Sequence, residues 1–84
     1  MNRTELDAAD AEQASTLHDA TCRLMTLFIE GCHRPQLARL IITHLQTLET
    51  HPGTRRRTAA LAKYRQLRQH WQDVADALNG EIPA

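Results

Sequence analysis

The side chains able to do chemistry in this 84-residue chain are five histidines, two cysteines and a run of three arginines. Thiols and imidazoles in that number invite a zinc or iron reading. His18 and Cys22 stand four apart, so on a helix they share one edge and could both reach one ion. Cys32-His33 could add ligands from a loop. Spacing argues against it. Cys22 and Cys32 are separated by most of a helix, about 15 Å, whereas a shared zinc needs every ligand within about 2.3 Å of one point. Neither a Cys-x-x-Cys nor a His-x-x-x-His pair is present. No metal and no cofactor is expected. The same span forbids a Cys22–Cys32 disulfide, whose Cα atoms would have to lie within about 7 Å. Cys22 reads as a half-buried helix-edge residue and Cys32 as an accessible thiol. A metal or thiol sensor built on Cys32 and His33 is the weakest functional reading.

Arg55-Arg56-Arg57 is the strongest charge run. Placed at a helix start, it stands where the helix dipole disfavours cations, so something negative should compensate. Asp10 and Glu12 of the acidic N-terminal stretch are the natural partners. The functional alternative is that free helix amides and these arginines bind an anion, a phosphate or a nucleic acid. No aromatic residue interleaves the basic ones, and the net charge of the chain is zero, so nucleic acid is not favoured. Arg57 and Arg68 fall near an apolar face, a position that suits arginines paired with carboxylates at an interface.

His44 lies inside an apolar stripe. It reads first as a core or interface histidine bonded to an acceptor, and more sharply as a pH-responsive contact. His18, His33, His51 and His70 read as solvated edge or loop residues. No nucleophile–base arrangement, inward carboxylate pair, phosphate-binding glycine loop or dinucleotide fingerprint occurs. The chain is not expected to be an enzyme.

These residues must be positioned by helices. Strand formers are sparse and 42% of residues are hydrophobic, which predicts an all-α fold rather than disorder. The organising stretch is Thr54 to Gly80. Ala60, Leu61, Tyr64, Leu67, Trp71, Val74, Ala75 and Leu78 recur at the spacing of one helix face. Thr54 is its expected N-cap and Asn79-Gly80 its stop. A first helix is expected over about 4–30, with Thr4 and Asp7 as a weak capping box. Its inward face is Leu17, Ala20, Thr21, Leu24, Leu27 and Phe28. That pattern fades before residue 14, so a break near Ser15-Thr16, giving four short helices, competes with one long helix. Gly31 should end it. Pro35 should open a second helix to Glu49, with Leu37, Leu40, Ile41, Leu45 and Leu48 in a stripe wide enough to touch two neighbours. His51-Pro52-Gly53 is a turn.

The whole is expected to be one small domain over residues 1–84, with 80–84 as a tail. Two long helices and one short one, arranged up-down-up, leave an apolar overhang at the end of the third. A homodimer covering it is the simplest resolution, with Trp71, Val74, Leu78, Tyr64, Arg68 and His44 at the interface. Trp71 is expected between two chains, because the second helix looks too short to cover it. Residues 1–30 carry six carboxylates against two arginines, and the remainder eight basic residues against four acidic ones, so the halves complement each other. No apolar run is long enough to span a bilayer and no signal peptide is evident. The expectation is a cytoplasmic, bacterial-type interaction or regulatory module, homodimeric, with a further protein partner unidentified. A nucleic-acid-binding regulator using Arg55, Arg56, Arg57 and Arg65 is the alternative.

Overall fold

The computed structural model describes residues 3–80, with side chains at position 5 and at 8–79. Four helices follow in order: α1 (Arg3–Ile29), α2 (Pro35–Thr50), α3 (Pro52–Arg55) and α4 (Thr58–Gly80). The molecule measures 55 × 21 × 17 Å, longer than the roughly 40 Å of α1 alone. The Thr4–Asp7 cap and the tail 81–84 lie outside the described side chains and residues.

α1 is unbroken, so the single long helix is found and the competing break near Ser15-Thr16 is not. The Thr16 hydroxyl donates to the Glu12 carbonyl at 3.0 Å, so this polar side chain is satisfied within the helix rather than competing with it. At the other end Gly31, at φ 134°, takes the conformation that an L side chain resists. The Cys32 N–H returns to the Leu27 carbonyl and the Gly31 N–H to that of Phe28, a Schellman closure. Pro35 then opens α2 without a lost donor.

α2 is the centre of the core. It supplies Ala38, Ile41, Ile42, Leu45 and Leu48, and α4 supplies Trp71 and Ala75. Leu17, Leu24, Met25 and Phe28 of α1 pack on this cluster half-buried. Thr21 is buried among them, its hydroxyl donating to the Leu17 carbonyl at 2.7 Å. The expected stripes were too wide. Leu40 on α2 is 44% exposed and Leu27 on α1 48%. Each stands on a helix flank that no neighbour among the described residues covers. Ala38, unremarked in the stripe, is fully buried where a small residue lets a helix approach.

The expected third helix is also corrected. The chain after Pro52 makes a separate helical turn, α3, and the long helix begins only at Thr58. His51 caps α3, its Nδ1 accepting from the Gly53 N–H at 3.1 Å. Thr54 is therefore not the cap of α4. It is a buried residue inside the turn. The carbonyl of Arg57 accepts from Leu61 N–H and closes the first turn of α4.

Candidate functional site

α3 sets the arginine run away from the axis of α4. Arg55 ends α3, while Arg56 and Arg57 form the link, so the expected triple at the start of the long helix does not form. Arg56 reaches Asp10 of α1 at 3.4 Å, a carboxylate of the stretch expected to compensate it. The contact beneath is closer still. A Cβ on Gly53 would sit 2.6 Å from the Asp10 carbonyl oxygen and 2.9 Å from its carbonyl carbon. Only hydrogen fits there, so Gly53 is needed for the approach of two backbones rather than for an unusual φ.

Farther along, α1 and α4 are joined by side chains. His18 Nδ1 lies 2.9 Å from Tyr64 Oη, and His18 Nε2 lies 3.5 Å from Cys22 Sγ. His18 is exposed, as expected of an edge residue, but it is bonded to Tyr64; Cys22 is exposed rather than half-buried. Burial pushes the Tyr64 hydroxyl above its ordinary pKa, the nearby Cys22 charge adds to this, and Arg57 opposes it. Between these contacts and Gly53 an open pocket of about 280 Å³ is floored by the small residues Ala11, Ala14 and Ala60. Arg57, not Arg55 or Arg56, is the member of the run on its wall.

Comparison with protein-family models, with curated proteins and with solved structures finds no match.

The expected interface residues separate. Trp71 is only 6% exposed within a single chain, held edge-on against Phe28 with ring centroids 5.0 Å apart. The expectation that it needs a second chain for burial is therefore overturned: Phe28 from α1, not α2 alone, completes its cover. Arg68 turns inward to Glu49 of α2, which also faces Arg65 at 3.8 Å. His44 is half-buried, and its Nδ1–H donates to the Leu40 carbonyl at 2.9 Å, the bonded state expected first. Tyr64 is engaged by His18. Val74 and Leu78 remain on an open groove, with Phe28, His33 and Ala77. Phe28 also stacks at a tilt on His33, 5.0 Å between centroids. Among the described residues no group of three or more His, Cys, Asp or Glu side chains is placed to hold a metal ion. Cys32 is exposed, and no helix of the described residues is long and apolar enough to cross a membrane.

Sequence reasoning missed the His18–Tyr64 bond, because 46 residues separate the partners. The four-residue spacing of His18 and Cys22 was visible, and it marks a real contact.

Proposed function

We propose that this chain is a small helical interaction module without catalytic activity, its longer helices arranged up-down-up and a second copy completing them. The observation that carries this reading is the open groove between the ends of α1 and α4, where Phe28, Val74 and Leu78 are only half-buried. Apolar side chains left on a concave surface beside the core mark an association site. The helix order is supported by contacts that advance together along α1 and the chain from the α3–α4 link into α4: Asp10 with Arg56, His18 with Tyr64, Phe28 with Trp71. A second copy suits the groove because the acidic first thirty residues complement the basic remainder, and two chains can use that complementarity reciprocally. Cytoplasmic placement and a further protein partner belong to the same reading.

The alternative, a nucleic-acid-binding regulator, has fewer charges to draw on. Arg56 is engaged with Asp10, and Arg65 and Arg68 lean on Glu49. Retention of duplex DNA or RNA on a filter at about 50 mM salt, where phosphate contacts are strongest, would revive it. Sedimentation velocity is the direct test of the first reading. A dimer at micromolar concentration supports it, and a strict monomer at high micromolar concentration removes its main support.

A further inference from the structure

We propose that Cys22 is a reactive thiol, activated by His18 and oriented through Tyr64, which forms mixed disulfides with small carboxylate-bearing disulfides. Three groups from two helices are in line. Cys22 Sγ is 3.5 Å from His18 Nε2, and His18 Nδ1 is 2.9 Å from Tyr64 Oη. This is a nucleophile beside a base that a third group holds in place. With its proton on Nδ1, the imidazole donates to Tyr64 Oη and turns Nε2, as an acceptor, to the thiol. Burial keeps the Tyr64 hydroxyl protonated well into the alkaline range, so the orienting group stays neutral while the base works. The thiol itself is exposed, which a reaction with a dissolved disulfide requires.

The electrophile's charge follows from the groove beside Cys22. It is lined by Arg23, Thr26 and Leu27, of which Arg23 supplies the charge, since the Thr26 hydroxyl donates to the Cys22 carbonyl at 2.9 Å. A small disulfide with a carboxylate meets Arg23 while its sulfur meets Sγ. The other titratable groups near this site are few. On α1 they are Asp19 and Arg23, and on the α4 side Arg57 stands beyond Tyr64. α2 packs on the Thr21 side of α1, and its His44 and Glu49 are occupied by the Leu40 carbonyl and by Arg65 and Arg68.

The step balances as thiol–disulfide exchange. The Cys22 proton passes to His18 Nε2. The thiolate attacks one sulfur of the disulfide, a Cys22–sulfur bond forms, and the original S–S bond breaks. The leaving sulfur departs as a thiolate, and the imidazolium returns its proton to solvent. Cys22 is oxidised, the departing sulfur is reduced, and no further oxidant is needed. The product is a stoichiometric modification, independent of whether the chain dimerises.

Cys32, the only other thiol, is exposed and supplies an internal control. The experiment follows thiolate release from dithiobis(nitrobenzoate), a carboxylate-bearing disulfide, with Cys32→Ser and Cys22→Ser proteins from about pH 6 to about pH 9. Cys22 should react roughly tenfold faster than Cys32 at the acidic end. In the Cys32→Ser background, His18→Gln should remove that advantage and return the rate–pH curve to that of an ordinary thiol. Tyr64→Phe should lower the rate several-fold and displace the curve while leaving the ring packed. Circular dichroism confirms that each variant is folded; His18 is exposed, and Tyr64→Phe offers a second reading should His18→Gln unfold. Equal rates for Cys22 and Cys32 at every pH overturn the proposal, as does a Cys22 advantage that survives in the folded variants.

Discussion

α4 meets α2 and α1 in different ways. Against α2 it closes a buried seam: Ile41, Leu45, Leu48, Trp71 and Ala75 are buried, with Glu49 and Arg68 paired at one end. Toward α1 it stands off. The two helices touch through long side chains, His18 to Tyr64 and Phe28 to Trp71, and open space remains on the outer side of each bridge, toward Gly53 at one end and toward Leu78 at the other. Side-chain burial in the first seam supplies most of the stability, because apolar area removed from water is the dominant favourable term. The second seam gives up burial and gains grooves, an imidazole, a phenol and a thiol. A chain this short buries only about 60% of its unfolded surface, so leaving one seam open is a considerable sacrifice.

Changes to the closed seam should have the largest effect. Leu45→Ala empties a fully buried site and should lower stability by about 3–5 kcal/mol in urea unfolding, with Trp71→Ala in the same range. Leu40→Ala, on the exposed flank of the same helix, should cost less than about 1 kcal/mol. If the two leucines cost the same, the seam is not where burial is concentrated. Gly53→Ala comes next. Its methyl meets the Asp10 backbone, so α1 and α3 must separate at a cost of about 1–3 kcal/mol. Hydrogen exchange should then quicken in the first half of α1 and not in α2. Glu49→Gln removes the charge that two arginines share and should cost about 1–2 kcal/mol, less in high salt.

The smallest effect concerns Tyr64. Its pKa is raised in the folded chain, so the native state holds the phenolic proton more tightly than the unfolded state does. The resulting stability is fully present below the ordinary value of 10.0 and is lost as pH rises through the higher folded value. As Tyr64 is the only tyrosine, the ultraviolet titration of phenolate should show one midpoint above 10.0, and Tyr64→Phe should lose this increment of alkaline pH dependence. A midpoint at or below 10.0 would show that the α1–α4 seam does not bury this ring.

Much of the closed seam was legible in the sequence. The stripe Ile41, Leu45 and Leu48 marks the buried face of α2, and Gly31 and Pro35 mark the neighbouring helix ends with local chemistry that tertiary contacts do not override. The open seam was not. Residues 54–57 hold no apolar side chain, so periodicity could not locate the start of α4, and Thr54 looked like its cap. Gly53 reads as a turn glycine until α1 is seen lying on it. The side chains of His18 and Tyr64 meet only because α1 and α4 are brought together by α2. Hydrophobic spacing also overstates the core, since it counts Leu27 and Leu40 without knowing which flanks have neighbours.

The central claim is that a second copy covers the groove of Phe28, Val74 and Leu78. It is tested most directly by thermal melting over about a hundredfold range of concentration, for the wild type and for Leu78→Glu. Burial of the groove between copies links folding to association, so the wild-type midpoint should rise with concentration. Leu78→Glu places a charge in the contact and should melt at one temperature throughout. A wild-type midpoint that does not move with concentration would contradict the claim.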